Sequence, residues 1–120
     1  MFDFEKLEVY KKSLDFADEI YNITKTFPKS EIFGITSQFR RAALSISLNI
    51  AEGSGRTYNK ERKQFYQISR TSVHECIPII EICKRQNFIN DVIHKRLYQN
   101  CTELGKMLIG LIKSVSDNNV

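Results

Sequence analysis

Proline and glycine are scarce, with two and five respectively in 120 residues. So few chain breakers leave little room for long irregular connections. Long apolar runs are missing as well. No stretch approaches the roughly 20 apolar residues that a membrane-spanning helix needs. Near the start, Asp3, Glu5 and Glu8 interrupt the apolar residues, which is not the pattern of a secretory signal. A cytoplasmic protein is expected. Cysteine is sparse and odd in number: Cys76, Cys83 and Cys101 show no C-x-x-C spacing. Helical periodicity puts all three on inward positions, where a reduced thiol acts as a small apolar group. Zinc needs several Cys or His ligands in close range. His74 falls on the side of its helix away from Cys76, and His94 has no potential ligand beside it in sequence.

Catalytic constellations are also missing. Gly53-Ser54-Gly55 lacks the lysine and the preceding strand of a phosphate-binding loop. No His-Glu-x-x-His or Glu-x-x-His pair is present to build a metal site inside a bundle. Nothing in the spacing pairs a nucleophile with a base. A non-enzymatic protein is expected, with no cofactor and no metal.

What the chain does contain is helical periodicity, enough for one domain spanning residues 1–120. The spacing predicts helices over about 4–26, 35–52, 60–86 and 91–115. Leu7, Tyr10, Leu14, Ala17, Tyr21 and Thr24 form one seam of the first helix, and Val9, Phe16, Ile20, Ile23 and Phe27 form a second beside it. The two rows are either one broad core stripe, or one seam for the core and another for a neighbouring subunit. Pro28 ends this helix.

Ile35, Phe39, Ala42, Ile46 and Ile50 give the second helix its core face, while Leu44, Leu48 and Ala51 lie roughly opposite. A helix apolar nearly all round is usually covered on both sides. In so small a protein the second cover would be another copy of the chain, so Leu44, Leu48, Phe16, Ile20 and Ile23 are the candidate oligomer interface. Gly53 and Gly55 are expected to end the second helix in the left-handed conformation.

Asn59 is the expected N-cap of the third helix and Asn90 that of the fourth. Pro78 lies inside the third helix, where a kink is expected because its nitrogen cannot donate to the carbonyl of His74. Ile93, Leu97, Cys101, Leu104, Leu108, Leu111 and Val115 mark the inward stripe of the fourth, and residues 117–120 are expected to fray. Short connections between long helices imply an all-α, antiparallel up-down-up-down four-helix bundle.

Charge is unevenly spread. The net charge is +4 overall, yet residues 4–26 carry four Lys against five Asp or Glu. Residues 56–70 carry Arg56, Lys60, Arg62, Lys63 and Arg70 against Glu61 alone. Lys63, Gln67, Arg70 and His74 share one helical face, with Arg56 and Lys60 at the helix start, where free N–H groups already favour an anion. This is either a track for a phosphate backbone or an ordinary solvated face. Tyr58 and Tyr66 flank it and are candidates for stacking on unpaired bases. Arg41, Asn49 and Glu52 are expected to form structural polar pairs, with Glu75 or Glu52 as the acid that meets Arg41.

The run Arg40-Arg41-Ala42-Ala43-Leu44-Ser45-Ile46-Ser47-Leu48-Asn49-Ile50-Ala51-Glu52-Gly53 resembles the signature of the bacterial four-helix-bundle family named for the large-subunit ribosomal RNA intervening sequence. Phe4, Leu7, Tyr10, Phe27-Pro28, Glu31, Phe33-Gly34-Ile35, Ser72 and Glu75 extend the likeness along nearly the whole chain. The resemblance implies a homopentamer and an association with ribosomal RNA. The chain is also similar to the accessory protein of diversity-generating retroelements, a basic pentamer that binds nucleic acid and a reverse transcriptase. On this reading Arg56, Lys60, Arg62, Lys63, Arg70 and Arg40 contact RNA phosphates. The competing expectation is a scaffold that self-assembles and recruits a protein partner without nucleic acid.

Overall fold

The computed structural model describes residues 1–115, so the fraying expected at residues 117–120 falls outside the described residues. Among the described residues there are four α-helices and no strand: α1 (Glu8–Thr24), α2 (Ile35–Ser54), α3 (Asn59–Arg85) and α4 (Asp91–Ser114). A short 3-10 turn, Asp3–Lys6, precedes α1 where the first helix was expected to begin. The helices surround one core, in which Phe39, Ile46, Ile50, Ile80, Leu97, Leu104 and Leu108 are fully buried. Burying each such side chain is worth about 1.5–3 kcal/mol.

Contacts between neighbouring helices run in opposite residue order. Arg41, Ser45 and Ser54 of α2 meet Glu75, Ser72 and Tyr66 of α3. Likewise Lys12 and Glu19 of α1 meet Glu103 and Arg96 of α4. α1 touches α2 and α4 but not α3 among the described residues, so the α1–α2 and α3–α4 faces lie on opposite sides of the molecule.

Three expectations need correction. In α1 the row with Val9, Phe16 and Ile20 is the core row, and Ser13 completes it with its hydroxyl donating to the Tyr10 carbonyl at 2.6 Å. Of the other seam, Ala17 and Thr24 are also buried and Leu7 and Tyr10 pack against the core, so the stripe is broad, and only Leu14 and Tyr21 are exposed. Phe16 is 2% and Ile20 0% exposed, which removes both from any subunit interface, and Ile23 packs partly buried against the same core. Next, no glycine has a positive φ. α2 continues through Gly53 to Ser54, and among the described residues the one with a left-handed backbone is Asn87 at the end of α3, with φ 61°. Its neighbour Phe88 donates to the Cys83 carbonyl at 2.8 Å and closes the helix end. Finally, the N-cap of α3 is Tyr58, without a side-chain cap bond, and Asn59 is the first helical residue. Asn90 does cap α4, its side chain accepting from the Ile93 N–H at 2.8 Å. α3 stays one helix through Pro78.

The glycines inside helices divide into two kinds. A Cβ on Gly53 would lie 2.9 Å from Tyr66 Cε1 and 3.0 Å from the Arg62 carbonyl oxygen, so α2 and α3 touch there by their backbones. A Cβ on Gly105 or Gly110 of α4 would meet nothing within 4 Å. Opposite outcomes follow in a urea unfolding series. Gly105→Ala should raise stability by about 0.5–1 kcal/mol, the helix-propensity gain with no clash. Gly53→Ala should lower stability despite the same gain, because a backbone carbonyl must move to admit the methyl group.

Candidate functional site

The basic cluster around the start of α3 is less free than its sequence suggests. Arg56 pairs with Glu52 and lies 4.6 Å from the centre of the Phe65 ring. Lys60 is exposed. Arg62 turns toward the end of the bundle, its Nη2 group 3.5 Å from the Ser54 carbonyl oxygen. Its Nε is buried without a hydrogen-bond partner, at the wall of an open cavity of about 740 Å³ between Phe2, Phe4, Leu7 and Tyr66. Lys63 is half-buried and already engaged in an interaction. Arg40 is tied to the end of α1: Nε donates to Thr24 Oγ1 at 2.7 Å, and the guanidinium lies 4.9 Å from the Tyr21 ring centre. Thr24 in turn donates to the Ile20 carbonyl at 2.7 Å, so this arginine links α1 to α2.

Tyr66 is corrected as a stacking candidate. It is 2% exposed, and its hydroxyl shares a 2.8 Å hydrogen bond with Ser54 Oγ. Tyr58 stays exposed.

The polar side chains between α2 and α3 form a chain of short contacts. Arg41 reaches Glu75 at 3.2 Å and Gln38 at 3.2 Å. Asn49 donates to the Ser45 carbonyl at 2.8 Å and to Ser45 Oγ at 2.9 Å. Ser72 Oγ donates to the same Ser45 Oγ at 2.8 Å, and Ser69 Oγ to the Ile46 carbonyl at 2.7 Å. Glu52 turns to Arg56 and not to Arg41. The arginine pairs are solvent-exposed and worth about 0–1 kcal/mol each. The hydroxyl contacts, being better buried, do more to fix the register of α3 on α2.

On α2, Leu48 is 57% and Leu44 38% exposed. Starting from the Arg40–Thr24 contact and running in opposite directions, Leu44 and Leu48 lie beside the part of α1 that carries the exposed Tyr21 and Leu14. The three exposed leucines among the described residues, Leu14, Leu44 and Leu48, therefore sit together with Tyr21 on the α1–α2 face, while Ile68, Ile82, Val92 and Ile109 are exposed elsewhere on α3 and α4.

The opposite face has functional candidates that the sequence reading missed. A shallow groove of about 240 Å³ lies between α3 and α4, with Arg70 and His74 on one wall and Tyr98, Thr102, Gly105 and Lys106 on the other. Neither Arg70 nor Lys106 forms an ion pair among the described residues. The available signal was Lys95, Tyr98, Thr102 and Lys106 at three- and four-residue spacing on one face of α4, outside its apolar stripe.

Among the described residues, no group of three His, Cys, Asp or Glu side chains could hold a metal ion. No helix of the described residues is long and apolar enough to cross a membrane. His94 meets Glu81 at 3.1 Å, and this hydrogen bond, with a lesser one from Arg85, holds the Glu81 carboxyl below its usual range.

The model of the 23S rRNA-intervening sequence protein family matches residues 5–110. The chain belongs to this family. A solved structure with the same fold is that of a protein of unknown function from the S23 ribosomal protein family of Bacteroides thetaiotaomicron VPI-5482. It superposes with a TM-score of 0.81 at 27% identity, over 88% of this chain and 99% of that one. Comparison with curated proteins gave no match. The family match spans all four helices up to Gly110 and so takes in both the apolar α1–α2 face and the groove.

All three cysteines are free and buried. A side-chain hydrogen bond of the Cys76 thiol with Cys101, followed by burial, pushes Cys76 far up, and burial pushes Cys83 up to about 12. Both stay protonated at neutral pH, and a protonated thiol is a poor nucleophile. A disulfide reagent at pH 8 should leave Cys76 and Cys83 unmodified in the folded protein and titrate three thiols in denaturant. Rapid labelling of either in the native state would contradict this burial.

Proposed function

We propose that this protein is a non-enzymatic, RNA-binding homo-oligomer of the cytoplasm, each subunit an antiparallel up-down-up-down four-helix bundle. The single observation that carries the reading is the division of the surface. The exposed leucines Leu14, Leu44 and Leu48 gather on the α1–α2 face, while Lys60, Arg70 and Lys106, which form no ion pair among the described residues, lie on α3 and α4. Membership of a family named for a ribosomal RNA intervening sequence supports RNA as the polyanion. The homopentamer implied by the family resemblance would place several copies of a modest basic surface on one assembly. Each additional phosphate contact adds to affinity through counterion release.

Arg62 and Arg40 are taken out of the phosphate-binding set, since one faces the end cavity and the other anchors α1. Lys60 and Arg70 carry the reading instead, with Arg56 beside them in its pair with Glu52. The exposed Leu48 also favours a second reading, in which the apolar face recruits a protein partner and no nucleic acid is bound.

Binding of the full chain to a structured RNA, followed across salt concentrations, separates the two. The RNA reading expects affinity to fall linearly with salt on logarithmic axes. It also expects Lys60→Glu with Arg70→Glu to weaken binding about tenfold or more and to flatten that slope. Undetectable binding at low salt, or affinity unchanged in the double variant, leaves the scaffold reading.

A further inference from the structure

We propose that the groove between α3 and α4 receives an unpaired base of single-stranded RNA, stacked on Tyr98, with the adjoining phosphates on Arg70 and Lys106. The inference rests on the RNA-binding reading above and specifies the form of RNA.

Register across the two helices is set by the contact of Cys76 with Cys101, by Glu81 with His94 and by Lys84 with Asp91. Moving from Cys76 back toward Arg70 moves forward along α4 to Gly105 and Lys106, so these two cations flank the same end of the groove. Tyr98, 49% exposed, lies toward the other end, near Ile77. The floor is apolar, with Val73 and Cys101 buried beneath. A second hollow of about 430 Å³ continues along α4 and shares Tyr98, Thr102 and Lys106. Its one acid, Glu103, is held by Lys12 at 3.0 Å.

Gly105 is the most telling residue. A glycine inside a helix costs about 0.8–1 kcal/mol relative to alanine. Gly53 has a reason to be glycine, since another backbone presses on it. Gly105 has no such reason, for a side chain there would meet open space. The missing side chain leaves the α4 wall of the groove open at this point. An apolar floor, an aromatic wall and a cationic mouth match the chemistry of a nucleotide: a flat ring to stack, and a charged linkage beside it. A duplex keeps its bases stacked inside, so it has nothing to offer Tyr98. By the arrangement of the helices, this groove stays open when the α1–α2 face is covered.

The test compares a single-stranded oligoadenylate with an RNA duplex, both fluorescently labelled, in anisotropy titrations of the full chain. The variants are Gly105→Leu, which fills the groove, and Tyr98→Ala, which removes the ring; neither alters charge. Both should weaken single-strand binding about tenfold and leave duplex binding within about twofold. Thermal melting keeps the result interpretable, because Gly105→Leu should melt no lower than the parent. If the parent binds the single strand and both variants bind it equally well, the groove assignment is overturned while the RNA reading stands. An equal loss on both RNAs overturns it too, since that reports a damaged surface and not a lost stack. No binding of either RNA by the parent at low salt removes the RNA reading, and this inference with it.

Discussion

The backbone contact of α2 with α3 at Gly53 is the constraint on which the other features depend. A 2.9 Å gap between a hypothetical Cβ and the Tyr66 ring leaves room for a hydrogen atom and nothing more. Small residues keep the helices close from there onward. Ala42, Ala43 and Ser47 are buried on α2, and Ser69 and Ser72 on α3. At such separations hydroxyls reach across to the other helix, as Ser69 does to the Ile46 carbonyl. With α2 pressed against α3 on one side and Ile46 and Ile50 turned to the core, Leu44 and Leu48 are left facing outward. The apolar outer face is thus a consequence of how α2 packs.

That placement separates the molecule into two sides. The α1–α2 side has lost much of its polar character to internal pairing: Arg40 is spent on Thr24 and Tyr21, and Arg41 on Gln38 and Glu75. The α3–α4 side keeps Arg70 and Lys106 available around a groove. Self-association through the first side would leave the second exposed in every copy. A modest net charge of +4 per chain then becomes a larger field without any new residue.

Most of the helical architecture was legible in the sequence, because apolar residues recur at helical spacing and Pro28 and Asn90 mark ends that local chemistry enforces. How the two rows of α1 share the core was not. The buried set takes Val9, Phe16 and Ile20 from one row and Ala17 and Thr24 from the other, and it adds Ser13, whose polarity disguises its burial until its hydroxyl is seen bonded to the carbonyl one turn back. Gly53 was read as a stop signal because glycine favours helix ends. Only the tertiary contact distinguishes a glycine kept for conformation from one kept for closeness. The candidate site was legible in part. The positive stretch of residues 56–70 is plain in the sequence, but the direction each arginine takes is not. Arg62 and Arg70 differ by eight residues; one borders the end cavity and the other the α3–α4 groove. The cations of α4 were overlooked because in sequence they alternate with the residues of its apolar stripe, although they lie on a different face of the helix.

The central claim is that a sister chain covers the outward leucines of α2. Light scattering on the purified protein measures this directly, as a mass. The expected mass is a whole-number multiple of the 14.0 kDa chain, falling toward a single chain in Leu48→Glu. A parent protein of 14.0 kDa at micromolar concentration would contradict it, for the leucines would then stand in water with nothing covering them.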